Sequence, residues 1–166
     1  MTTVQVDSLK FTFPASWKVC KYDEWAFYRH QLSKLSGIKA VDIIAIHKQV
    51  IWLIEAKDYR WHSRTKSIDL ADEVAAKVLF TLAAMLPAKI NASDPSERDF
   101  AAQVLTGQTL RIVLHLEQPV KTSKLFPRAI DPSKVQLKLR SLIKAIDPHP
   151  MVVESSQMQS LVWTVT

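Results

Sequence analysis

Residues 41–60, VDIIAIHKQVIWLIEAKDYR, form two apolar runs that carry Asp42, Glu55 and Lys57 inside them. Runs of this length, rich in Ile and Val and separated by the short polar HKQ segment, predict strands near 40–47 and 50–57 joined as an antiparallel hairpin. Ionised side chains are costly to bury without a partner or a metal, so the placement of these three charges needs an explanation. Glu55 and Lys57 lie two apart and therefore project from the same face of the second strand. With Asp42 on the neighbouring strand, the three converge toward one end of the sheet, giving two carboxylates suited to a hard cation and an ammonium beside them. The plainer alternative is an ion pair at the strand ends, nearly neutral in energy if exposed.

Outward from the hairpin, LKFTF at 9–13 predicts a strand ended by Pro14. Asp23 is placed to cap a helix running to about Leu35, with Gly37 closing it. After the charged segment DYRWHSRTKS, the recurrence of Leu70, Val74, Val78, Leu82 and Met85 predicts a helix over 68–86, stopped by Pro87. Asp94 and Pro95 announce a second helix, with Glu97 in the capping-box position and Gly107 at its end. A strand is expected over 110–117. Asp131 and Pro132 then start a helix to about Ile146, its inner side formed by Val135, Leu139, Leu142 and Ile146. Strands near 151–154 and 161–165 complete the order, which predicts an α/β fold with a central mixed sheet flanked by helices.

The 166 residues are expected to form one domain, 48% apolar and 23% charged, as in an ordinary globular protein. Two glycines, Gly37 and Gly107, are too few for a dinucleotide fingerprint or a phosphate loop. The single Cys20 supports no internal disulfide and no thiolate zinc cluster, and the five histidines show no metal-ligand spacing. The longest apolar window, 78–86, falls well short of the roughly 20 residues that a membrane span needs. With no basic, apolar leader pattern at the N-terminus, a cytoplasmic protein without a membrane partner is expected. A formal charge of +6 favours polyanionic partners.

The pattern D-x12-E-A-K on a strand hairpin, followed by a helix, resembles the PD-(D/E)XK nuclease superfamily of restriction-endonuclease-like folds, closest in layout to its small Holliday-junction-resolvase-like members. The likeness covers about residues 20–117, and Val41 stands where the motif's name has proline. It implies that Asp42 and Glu55 hold Mg2+ or Mn2+, with the Ala56 carbonyl as a further ligand and Lys57 positioning or activating water. Glu24 matches an additional acidic residue of such enzymes, although a first-turn carboxylate stabilised by the helix dipole explains it equally well. Arg60, Trp61, Arg64 and Lys66 mix cations with an aromatic where a phosphate backbone would pass, and Lys77 lies one turn from Glu73 on the following helix. A solvated loop accounts for the first group nearly as well.

The resulting expectation is a metal-dependent nuclease hydrolysing phosphodiester bonds in DNA, in repair, recombination, restriction or anti-phage defence. The second expectation is a non-catalytic subunit of that fold, binding nucleic acid or assembling a larger nucleic-acid-processing complex. A homodimer is a further expectation, by analogy.

Overall fold

The computed structural model describes residues 1–125 and 128–166. Its centre is the predicted hairpin, β4 (Ile43–His47) and β5 (Val50–Asp58), antiparallel with Ile43 opposite Ile54 and His47 opposite Val50. A sheet of five strands grows from it. On one side β3 (Lys18–Lys21) pairs antiparallel with β4; on the other β6 (Thr109–Glu117) and β7 (Met151–Val153) continue in parallel. The protein is thus α/β with a mixed sheet, as the order of elements predicts. A second, three-stranded sheet is formed by β1 (Thr2–Val6), β2 (Leu9–Phe13) and β8 (Thr164–Val165).

The alternation of β5 separates two cores. Ile51 and Leu53 face the layer built from α2 (Leu70–Asn91), α3 (Pro95–Val104) and α4 (Pro132–Ile143). Trp52, Ile54 and Ala56 face the small sheet, against Phe11, Phe13 and Trp163. Strands buried on both faces read as unbroken apolar runs, which is the pattern of this segment. The hairpin turns without glycine: Lys48 takes a φ of 57°, and the Gln49 carbonyl accepts from the amides of Gln108 and Thr109 at 2.8 and 3.2 Å. Gly107 precedes that junction because a Cβ there would lie 2.3 Å from Ile51 Cγ1.

Several expectations are corrected. The helix expected from Asp23 to Leu35 is broken into 3-10 turns at Tyr22–Glu24 and Leu32–Lys34 around a short α1 (Ala26–His30), and Asp23 caps none of them. Instead Glu97, read from the sequence as its own helix's capping-box partner, reaches from α3 to accept the amides of Ala26 and Phe27 at 2.6 and 3.1 Å. Those two N–H groups open α1 and have no partner within the helix, so a neighbouring carboxylate stabilises both. Pro87 does not stop α2, which continues through Asn91 and fully buries Ala88. Proline removes one intrahelical bond, to Ala83, and packing of the last turn outweighs that loss. In α4 the inner side uses Leu139 and Ile143, whereas Leu142 is 46% exposed. The Asp94 and Asp131 caps form as predicted, each side chain accepting from the amide two residues on. Strands β1 and β3 had not been anticipated.

Candidate functional site

Continuing the β4–β5 register places Asp42 across from Glu55, with both side chains and Lys57 on the face covered by α2. Asp42 Oδ2 accepts the Ala56 amide at 2.7 Å. Glu55, 1% exposed, shares its Oε1 between Lys57 and Lys77, each at 2.5 Å. Lys77 Nζ also lies 3.9 Å from Asp42 Oδ1. The three residues singled out in the hairpin therefore do meet, and the fourth member is Lys77. That lysine projects from α2 to Glu55, and not along its own helix to Glu73 as an exposed pair.

Glu73 is fully buried and serves other cations. Its Oε1 meets Lys66 at 2.6 Å and Lys57 at 3.5 Å, and its Oε2 meets Arg64 at 2.7 Å. Arg64 is further held by the Tyr59 hydroxyl and the Ile68 carbonyl, which makes it a strut for the 59–68 loop.

Burial raises the Glu55 carboxyl, and Asp42 opposite adds to the effect; Lys77 and Lys57 oppose it, leaving the group at about 7. Burial acts upward on Glu73 too, but the hydrogen bond from Lys66 and the Arg64 contact prevail and hold it at about 2. For Lys57 burial works against the charged form, yet Glu55 and Glu73 hold its pKa above the ordinary lysine value. Two neighbouring carboxylates thus differ in proton affinity because burial prevails at Glu55, whose cations are shared with Asp42, while at Glu73 three cations outweigh it.

Above this buried network opens a cleft of about 460 Å³, lined by Asp23, Tyr28, Arg29, Lys39, Asp42, Lys66, Glu73 and Lys77 among others. Lys39 has no hydrogen bond or ion pair among the described residues, so its ammonium is free to meet a ligand. Lys39 and Asp23 were not expected at the site, because loop and turn residues carry no periodicity, and Arg29 lies on an α1 too short to show one. Asp23 takes the place expected of Glu24: its Oδ1 is buried without a hydrogen-bond partner among the described residues, and burial and then Asp42 raise its pKa. Glu24 faces away, half-exposed, and pairs with Lys21 at 3.0 Å and Arg29 at 3.9 Å. Arg60 also stands apart, closed onto Asp58 at 2.6 Å, while Trp61 is 66% exposed on the loop. The nucleic-acid-contacting set predicted from sequence is therefore divided: Lys66 and Lys77 reach the cleft, Arg64 supports it from below, and Arg60 and Trp61 lie outside it.

The fit to a divalent cation is limited. One oxygen of Asp42 and one of Glu55 are engaged as described, leaving Asp42 Oδ1 and the buried Glu55 Oε2, which has no hydrogen-bond partner among the described residues. Ala56 is observed as an amide donor to Asp42. Among the described residues no group of three His, Cys, Asp or Glu is arranged to hold a metal ion. Two carboxylate oxygens with water and phosphate completing the sphere suit Mg2+, which rarely uses an all-protein cage.

The decisive comparison is with a cysteine–tRNA ligase of Neisseria meningitidis (serogroup A, strain Z2491), 34% identical over 162 residues. This chain resembles part of a tRNA ligase. The alignment takes in 79% of this chain but only 23% of that protein, so the chain spans about a quarter of its relative. No family model matches the chain. No solved structure matches it either. The relative is an enzyme that by its name ligates cysteine and tRNA, and it corrects the expectation of a phosphodiester-hydrolysing DNA nuclease: the carboxylate–lysine network is real, but the nuclease, endonuclease and hydrolase readings built on it are overturned. No helix among the described residues is long and apolar enough to cross a membrane.

Proposed function

We propose that this chain is a tRNA-contacting domain related to part of a tRNA ligase, and that the Lys39 cleft grips RNA phosphates. The likeness to a cysteine–tRNA ligase carries this reading and favours RNA over DNA as the partner. The cleft supports it chemically. Arg29, Lys39, Lys66 and Lys77 line it, and the buried carboxylates beneath fix the last two while Lys39 stays free. Fixed cations over a partly desolvated floor suit the phosphate backbone, whose neutralisation dominates affinity for nucleic acids. With only two glycines the chain has no phosphate loop, so the reading is of tRNA binding and not of nucleotide activation.

Magnesium belongs to the same proposal: Asp42 and Glu55 would hold it, and it would supply positive charge to a bound phosphate. Calorimetry with Mn2+ is expected to give saturable heat that Asp42→Asn removes; unchanged heat in that variant would exclude this pair as the ligands.

The binding itself is tested by fluorescence anisotropy with labelled tRNA. Lys39→Glu is expected to weaken binding about tenfold, since each phosphate contact contributes strongly at moderate salt. Lys10→Glu, on the exposed face of the small sheet, is expected to leave it unchanged. The tRNA should be recovered intact. Equal loss in both variants would reduce the interaction to general charge attraction and sink the assignment to this cleft.

A further inference from the structure

A second cleft, of about 570 Å³, opens beside β7, between Trp52, which projects oppositely to Glu55 along β5, and the Gln136 and Arg140 side of α4. Its walls come from β5, β6, α4, β7 and the loops flanking β7, and among the described residues no carboxylate lines it. The indole of Trp52 is half-buried, backed by Trp163 and Trp17 with ring centroids 5.3 and 5.9 Å away, so one large aromatic surface is held rigidly at the cleft.

The polar side is equally fixed. Asp147, fully buried behind the cleft, accepts the Ile112 amide at 2.8 Å, pairs with Arg111 at 3.3 Å and accepts the His149 amide at 2.8 Å. One carboxylate thus sets both an arginine and the backbone of a histidine that line the same space. From α4, Gln136 bonds the Pro150 carbonyl at 3.1 Å and closes the helix onto that loop. Arg140, one turn further along α4, is exposed and has no hydrogen bond or ion pair among the described residues. A free guanidinium, a second one oriented from behind, an amide and a braced indole form a combination with one well-matched ligand class. Aromatic faces stack bases, and guanidinium groups bind phosphate bidentately. The volume lies inside the range of about 300–1,000 Å³ usual for small-molecule sites.

We propose that this second cleft binds a nucleotide, the base against Trp52 and the phosphate at Arg111 and Arg140. The nucleotide is either free or an unpaired residue of an RNA strand, which present the same base and phosphate. The site is independent of the Lys39 cleft, and the experiment keeps the two apart.

Calorimetric titrations with AMP, adenosine, inorganic phosphate and a single-stranded adenosine hexanucleotide are made on the full chain and on Arg140→Glu and Lys39→Glu. Arg140 is unpartnered, so its replacement leaves the fold intact. AMP binding that weakens about tenfold in Arg140→Glu but not in Lys39→Glu supports a site open to free nucleotides. The same sensitivity for the hexanucleotide alone supports a site for an RNA strand. Phosphate binding as tightly as AMP overturns the proposal, because the base then contributes nothing. Absence of binding by AMP and hexanucleotide, or binding indifferent to Arg140→Glu, overturns it as well.

Discussion

Replacement of Glu73 by alanine is expected to destabilise the protein by about 3–5 kcal/mol, the usual cost of removing one partner from a buried charge network. The side chain is fully enclosed, and its two oxygens serve Lys66, Lys57 and Arg64. Without it, Arg64, whose side chain is 13% exposed, remains inside with its charge uncompensated, while Lys57 keeps only Glu55. Arg64 keeps Tyr59 and Ile68 as acceptors, which argues for the lower end of the range. Urea denaturation measures the change, with the midpoint falling and the slope unchanged. Glu73→Gln separates charge from volume: it fills the same space, and most of the loss should persist. A change below about 1 kcal/mol in the alanine variant would mean that the network is not the structural support of the cleft.

Glu55 gives the second large effect, in pH dependence. Its folded-state pKa of about 7 exceeds the ordinary glutamate value of 4.5, because burial and Asp42 favour the neutral acid. Between these pH values the folded protein holds a proton that the unfolded chain has released. Stability attributable to this group is therefore full below pH 4.5, declines as pH rises, and is lost above about 7. The difference corresponds to about 3 kcal/mol. Glu73 acts in the opposite sense but in another window: its contribution is present above pH 4.5 and is lost as pH falls through about 2. Denaturation of the natural chain and Glu55→Gln from pH 4.5 to 8 isolates the first effect. The natural chain should lose stability relative to the glutamine variant across that interval; parallel curves would show that Glu55 does not titrate there.

The hairpin could be read from sequence because its information is local. Apolar runs, a short polar interruption and alternation place Asp42, Glu55 and Lys57 without knowledge of the rest of the chain. The Asp94 and Asp131 caps are legible for the same reason. What escaped were consequences of long-range packing. Glu97 looks like a residue of its own helix until α1 comes to rest against it. Pro87 looks terminal until Ala88 is seen to pack. Lys77 and Glu73 are neighbours on one helix, yet each finds its partner elsewhere. Lys39 and Asp23 enter the cleft from irregular segments, where no periodic signal exists to mark them. The step from chemistry to activity failed for a related reason: two carboxylates and a lysine on a hairpin define a charged network, and the same network serves to fix cations for binding as readily as it serves hydrolysis.

Contact between the Lys39 cleft and tRNA phosphates is read from the salt dependence of tRNA binding. Anisotropy titrations across a range of salt concentrations give the slope of log affinity against log salt for the natural chain and for Lys39→Glu. Lys39→Glu is expected to give a weaker complex whose slope is reduced by about 1, the signature of a lost phosphate contact. An unchanged slope and affinity, with tRNA bound equally by both proteins, would contradict it.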